Sequence, residues 1–236
     1  MVILGLDSSA QAAGAGIVKD GRLLSDVVSF SGRTHSETLL TLMDDALKNA
    51  YLSFGDVDAL AVSNGPGSFT GIRKGVSAVK GLCFASGLPV YGISTLEALA
   101  VGAALPGFLI CPVMDARCSQ VYTAFFELRA GALRRLTPDR ALTLDALAVQ
   151  VVSDGRTALL VGDGAALTSS YFSERQVLFA ENPQIFSAQH GSAVAFAAWT
   201  RYNNGEQGAP AERLQPGYLR PSQAERERAK REGRVL

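Results

Sequence analysis

The 236-residue chain is 47% hydrophobic and balances 22 Lys+Arg against 22 Asp+Glu. That length buries a core in one large domain or two small lobes, and zero net charge excludes a global field for nucleic acid or an anionic membrane. Cys83, Cys111 and Cys118 form no CxxC pair and read as free thiols of a reducing compartment; no signal peptide or run near the ~20 residues of a membrane span is found, so no membrane contact and a cytoplasmic location are expected.

The chain opens with Val2-Ile3-Leu4-Gly5-Leu6, a buried-strand run that ends in Asp7-Ser8-Ser9. A second strand from Ala13 to Val18 meets the turn pair Asp20-Gly21, and Leu23 to Phe30 returns as a third. Thr34 and Glu37 have capping-box spacing, and behind them Leu39, Leu40, Leu42, Met43, Ala46, Leu47 and Ala50 recur at helical intervals. This apolar stripe is wider than one core-facing side needs. Val57 to Val62 is a strand, and Asn64-Gly65-Pro66-Gly67 ends it. Gly71 to Ala85 predicts a helix with small residues along it, including Gly75, Ala78 and Gly81. A helical glycine costs about 1 kcal/mol against alanine, which close approach of another backbone usually offsets. Pro89 to Ile93 is a strand, and Ser94 or Thr95 caps a helix through Ala104.

Pro106-Gly107 then divides the chain, and the opening theme returns. Phe108 to Val113 runs to Asp115, Val121 to Leu128 follows, and Ala132 to Leu136 pairs back. A helix from about Thr143, a strand from Ala158 to Val161 ending in Gly162-Asp163-Gly164, and a helix from about Ser192 to Tyr202 complete this half. A meander, helix, strand, helix and strand, used twice, is the plan of the actin-like (ASKHA) α/β class, with two ribonuclease-H-like lobes across a cleft. The expected divisions are an N-terminal lobe over 1–105, a C-terminal lobe over 106–220 and a charged tail over 221–236.

The candidate chemistry gathers at the cleft. Asp7, Ser8 and Ser9 fit phosphate or metal-bound water at a strand end, or equally a local turn; Asp115 in the matching place makes a cleft role about even. Gly65 to Gly71 opens a helix as a phosphate loop does, yet it has neither Walker A nor GxGxxG spacing and also fits a tight turn. Gly162 and Gly164 stand where this fold class contacts adenosine, or simply turn strand into helix. His35 and His190 are the only histidines and lie in no metal motif; a capping or surface role fits His35 better than catalysis. No GxSxG nucleophile elbow exists.

Ile3-Leu4-Gly5-Leu6-Asp7-Ser8-Ser9, His35-Ser36-Glu37, Gly65-Pro66-Gly67-Ser68-Phe69-Thr70-Gly71-Ile72-Arg73, Asp115-Ala116-Arg117 with Val121-Tyr122, and Pro216-Gly217-Tyr218-Leu219-Arg220 together resemble the TsaB (YeaZ) family. The motifs lie in the family's order across nearly the whole chain. The resemblance implies a non-catalytic scaffold for threonylcarbamoyl transfer to the adenosine beside the anticodon of ANN-decoding tRNAs. It implies pairing with a catalytic TsaD-like subunit and a TsaE-like ATPase, a homodimer when alone, tRNA contact through the complex, and ATP and metal in the partners only. TsaD's His-x-x-x-His metal pair aligns with Thr95 and Leu99, its later metal-binding Asp falls near Gln189, and its tri-glycine nucleotide loop becomes Gly162-Asp163-Gly164. The family's partner face is built from the first two helices, which implies His35, Leu39, Leu42, Met43, Ala46, Arg73, Gly75, Ala78, Gly81 and Leu82 as interface residues. Two other readings stay open: an ATP-binding enzyme using Asp7 and Asp115, and, last, a glycoprotease-like peptidase.

Overall fold

The computed structural model describes residues 1–30, 35–182 and 187–220, and the side chains of 35–37 are outside that description. The Thr34 cap, the His35 side chain and the tail over 221–236 therefore lie outside the described residues.

The first half forms β1 (Val2–Asp7), β2 (Ala13–Lys19), β3 (Arg22–Ser29), α1 (His35–Asn49), β4 (Ala59–Gly65), α2 (Phe69–Ser86), β5 (Val90–Ser94) and α3 (Thr95–Gly102). Its strands lie in the order β3-β2-β1-β4-β5. β1 is antiparallel to β2 and parallel to β4. The second half forms β6 (Leu109–Asp115), β7 (Gln120–Thr123), β8 (Phe126–Arg129), β9 (Ala132–Arg135), β10 (Arg140–Thr143), α4 (Leu144–Asp154), β11 (Ala158–Val161), α5 (Ala165–Glu174), β12 (Phe179–Glu181) and α6 (Gly191–Asn203). Its order, β10-β7-β6-β11-β12, repeats the first sheet place for place. The duplicated ribonuclease-H-like plan is thus present.

All six residues of β1 are buried because helices cover both faces of its sheet. Leu4 and Leu6 join the core under α1 and α2, while Ile3 joins the core under α6. Gly5 lets α6 approach: a Cβ there would lie 2.5 Å from the Ala195 backbone nitrogen.

Two features differ from the sequence-based expectation. The second meander closes with β10, which pairs with β7; Ala132 to Arg135 instead forms a hairpin with β8. The expected single strand from Val121 to Leu128 is two strands, β7 and β8, interrupted at Ala124 and Phe125; both pair with β6, and Phe125 lies in one core and Phe126 in another. The sheets divide near residue 105, but α6 from the second half packs on the first sheet, and Ala209 bridges to Val90. Between the lobes, Leu96, Leu99 and Ala100 of α3 pack with Ile110, Met114, Phe126 and Val161 in a shared core.

Candidate functional site

Asp7 ends β1 and is 1% exposed. Its Oδ1 accepts hydrogen bonds from the Ser9 amide at 2.8 Å and the Ser9 hydroxyl at 2.6 Å, and its Oδ2 accepts from the Ser63 hydroxyl. Ser8 turns away from the cleft, and its hydroxyl donates to the Gly71 carbonyl at 2.9 Å. A buried carboxylate whose oxygens are taken by local donors organises a strand end; little of it is left to hold phosphate or metal-bound water. Asp7 and Ser8 are not among the residues that line the cleft cavity, while Ser9 is on its wall.

The Gly65–Gly71 segment is a strand-to-helix turn: the Ser68 hydroxyl caps α2 by accepting from the Gly71 amide at 3.3 Å. Its contacts are made inside the cleft. The Ser68 amide donates to Ser9 O at 2.6 Å, and a Cβ on Gly67 would strike the same carbonyl. Beyond α6 the chain returns over this turn. The Gly217 amide donates to Asn64 O at 2.6 Å, Tyr218 stacks on Phe69 with centroids 4.5 Å apart, and Arg73 Nε donates to the Tyr218 hydroxyl at 2.8 Å. The segment's importance therefore lies in shaping the cleft wall and receiving the 214–220 chain.

The cleft holds a cavity of about 570 Å³ bounded by Ser9, Gln11, Phe69, Asp115, Arg117, Asp163, Tyr218 and Arg220 among others. Asp115 is paired locally: its Oδ1 accepts from the Arg117 amide at 2.7 Å, and Arg117 Nη1 lies 3.4 Å from Oδ2. Asp163 Oδ1 accepts from the Asp115 amide at 3.2 Å. Partial burial in the cleft, with the charge of Asp115 beside it, pushes the Asp163 carboxyl above its ordinary 3.8, although it keeps contact with solvent. Gly162 and Gly164 pack against Val113 and Asp115 backbone, so they hold two strand ends together. Past Asp163 and Gln11 lies a second compartment of about 420 Å³, lined also by Asn182 and Gln189. The side-chain nitrogens of Asn182 and Gln189 are buried there without a hydrogen-bond partner.

Thr95 and Leu99 lie on α3, and the structure places both in the interior at 0% and 4% exposure. Leu99 packs into the core shared by the lobes. Gln189 is 4% exposed and offers an amide donor. Threonine and glutamine offer only neutral oxygens and leucine none, so these positions lack the imidazole and carboxylate ligands that suit a catalytic metal. The three residues do not fit a catalytic transition-metal ion. Among the described residues, no cluster of three or more His, Cys, Asp or Glu side chains is placed to hold one.

The expected partner residues divide. Leu39, Leu42, Met43 and Ala46 are 0–8% exposed and belong to the core between α1, α2 and the first sheet. The wide stripe on α1 arises because that helix covers the sheet and also flanks α2. Gly75 is buried against Ser8, where a Cβ would lie 2.5 Å from Oγ. These five do not face outward, and Leu39→Glu or Gly75→Arg would test folding instead of pairing. Ala78 and Leu82 are half-buried against the same core, and Gly81 is exposed, with open space for 4 Å around the place a Cβ would take. Arg73 is exposed but held by Phe69 and Tyr218. The outer surface of the pair carries Leu40 at 46% and Phe84 at 63% exposure, neither expected from the sequence as an interface residue.

The family model described as "TsaD: tRNA N6-adenosine threonylcarbamoyltransferase" matches residues 28–226. The chain belongs to this family, on its TsaB (YeaZ) branch. The tRNA threonylcarbamoyladenosine biosynthesis protein TsaB of Bacillus subtilis is 27% identical over 225 residues, covering 95% of this chain and 96% of that one. A solved Pseudomonas aeruginosa protein, described as similar to peptidase YEAZ, superposes with a TM-score of 0.78 at 29% identity, over 93% of this chain and 99% of that one. The ROK hexokinase of Thermus thermophilus, at 14% identity and a TM-score of 0.50 over 87% of this chain and 100% of that one, shares the actin-like fold alone. In this TsaB-type chain, sequence reasoning missed Ser63, Asn64 and Gln11. Ser63 and Asn64 sit at the end of β4, and the signal was their place beside Asp7 in a parallel sheet whose order the sequence leaves unstated.

Proposed function

We propose that this chain is a non-catalytic accessory subunit in the cytoplasmic synthesis of threonylcarbamoyladenosine in tRNA, acting by pairing with a TsaD-type catalytic subunit, with a TsaE-type ATPase joining them. The observation that carries the reading is the side-chain set at Thr95, Leu99 and Gln189, which has no imidazole or carboxylate to hold a catalytic metal, in a chain of this family. The spent carboxylate of Asp7 supports it, because a strand-end Asp bound to Ser9 and Ser63 has little capacity left for catalysis. A subunit without a reactive centre works through surfaces, and the outward sides of α1 and α2 with Leu40 and Phe84 fit a partner helix pair. ATP and metal then reside in the partner subunits. The test is reconstitution: tRNA modification by TsaD- and TsaE-type proteins with this chain added or omitted. Activity that does not depend on this chain would sink the reading. Loss of pull-down by well-folded Leu40→Glu and Phe84→Glu variants would locate the interface.

The unpartnered amide nitrogens of Asn182 and Gln189 favour a second reading, retention of a polar ligand such as a nucleotide in the inner compartment. Calorimetry of the isolated protein with ATP and Mg²⁺ decides it, and no heat of binding would remove it.

A further inference from the structure

Besides α6, which packs on the first sheet, the two halves touch in two unlike ways among the described residues. One is the apolar seam of α3 against β6, β8 and β11, with Arg135 reaching Glu97 at 3.4 Å beside it. The other is the chain between Leu214 and Arg220. Leu214 is 4% exposed and rooted in the first-lobe core. Asn64 then grips the chain twice, donating from Nδ2 to Gln215 O at 3.2 Å and accepting from the Gly217 amide at 2.6 Å. A Cβ on Gly65 would overlap Gly217 O, so the two backbones lie in contact. Tyr218 is next held by Phe69 and Arg73, both near the start of α2. Only after these first-lobe anchors does the chain cross: Arg220 Nη1 donates to Ala116 O, in the second lobe, at 3.1 Å.

We propose that Tyr218 and Arg220 form a clasp that fixes the width of the interlobe cleft. Tyr218 fastens the chain to the first lobe, and Arg220 fastens the second lobe to the chain. The receiving carbonyl is well suited to this. Ala116 opens a tight turn whose amide donates to Gln120 O at 3.0 Å. The next three residues, Arg117, Cys118 and Ser119, have φ of 66°, 55° and 54°. Non-glycine residues persist in that region only where surrounding contacts over-determine them, and Arg220 is one such contact. The clasp residues also wall the 570 Å³ cavity. A guanidinium-to-carbonyl bond is charge-assisted, which makes this crossing stronger than a neutral one.

The clasp is tested by measuring the lobe separation. Spin labels go on Ser77→Cys of α2 and Val149→Cys of α4, both exposed, with Cys118→Ser to remove the exposed native thiol. The parent protein gives one narrow distance distribution. Arg220→Ala and Tyr218→Ala each give a broader, longer one, with unchanged far-UV circular dichroism. Amide exchange at Gly67–Phe69 accelerates about tenfold, equivalent to ~1.4 kcal/mol of closure. Arg129→Ala, an exposed arginine elsewhere, leaves the distribution narrow. A folded Arg220→Ala protein with the parental distribution and parental exchange overturns the proposal, whatever Tyr218→Ala does.

Discussion

Ser8 and Gly75 meet where β1 ends and α2 passes over it: a Cβ on Gly75 would lie 2.5 Å from Ser8 Oγ, whose hydroxyl donates to Gly71 O at 2.9 Å. The helix can lie this low only because residue 75 has no side chain. Gly75→Ala therefore gains helix propensity and loses fit. Overpacking of this kind costs about 1–3 kcal/mol against a propensity gain of about 1 kcal/mol. The expected result is a net loss of stability in urea unfolding, and Gly75→Ala combined with Ser8→Ala recovers part of it. A more stable Gly75→Ala protein would contradict this account.

Leu39 and Phe84 should respond oppositely to substitution. Leu39 is 2% exposed and Phe84 63%. Leu39→Ala empties core volume and costs about 2–5 kcal/mol. Phe84→Ala stays within about 0.5 kcal/mol of the parent. Thermal unfolding of the two variants side by side checks both values.

Asp7 is expected to matter for stability. Asp7→Ala leaves the Ser9 amide and the Ser9 and Ser63 hydroxyls buried without their acceptor. Each orphaned buried group costs about 1–3 kcal/mol. The midpoint of denaturation should fall sharply. Parental stability in Asp7→Ala would show that these bonds are not formed.

Asp163 gives a pH dependence of defined sign. Partial burial first, and Asp115 second, place its folded-state pKa above the ordinary 3.8. Between those two values the folded protein binds more protons than the unfolded chain, so this group's contribution to stability declines as pH rises through the window and stays reduced above it. Asp163→Asn keeps an acceptor for the Asp115 amide and carries no charge. It should be at least as stable as the parent at neutral pH and lack that part of the pH slope. Denaturant titrations at several pH values test this, and a variant clearly less stable at pH 7 would go against it.

The three thiols should separate by reactivity. Burial pushes Cys83 up to about 11 and Cys111 up to about 12, and both are enclosed, while Cys118 is exposed. Thiolate is the reactive form. A thiol-specific reagent at neutral pH should titrate one cysteine quickly in the native protein and all three after denaturation.

Hydrophobic patterning made the duplicated plan legible, because strand and helix periods are local properties of a chain. The run from Val2 to Leu6, the Asp20-Gly21 turn and the glycine-rich turn before α2 all mark elements that formed as read. The third strand of the second meander was misplaced because Ala132 to Arg135 and Arg140 to Thr143 are both short and partly exposed. Pairing in register with β7, and not the pattern, selected the latter.

The sequence by itself determined the two-lobed α/β plan, the family motifs and the Thr, Leu and Gln side chains, neither imidazole nor carboxylate, at positions 95, 99 and 189. Tertiary structure alone decided which way each motif faces. The stripe on α1 turned inward because a helix that meets both a sheet and a neighbouring helix spends its apolar width on both. Asp7 is tied to Ser9 and Ser63, a pairing that depends on β1 and β4 lying side by side. Tyr218 and Arg220 gained their place because residues 145 and 104 positions earlier, Arg73 and Ala116, come within hydrogen-bond reach only after both lobes have folded. Such contacts depend on direction and distance between remote segments, and no local period encodes them.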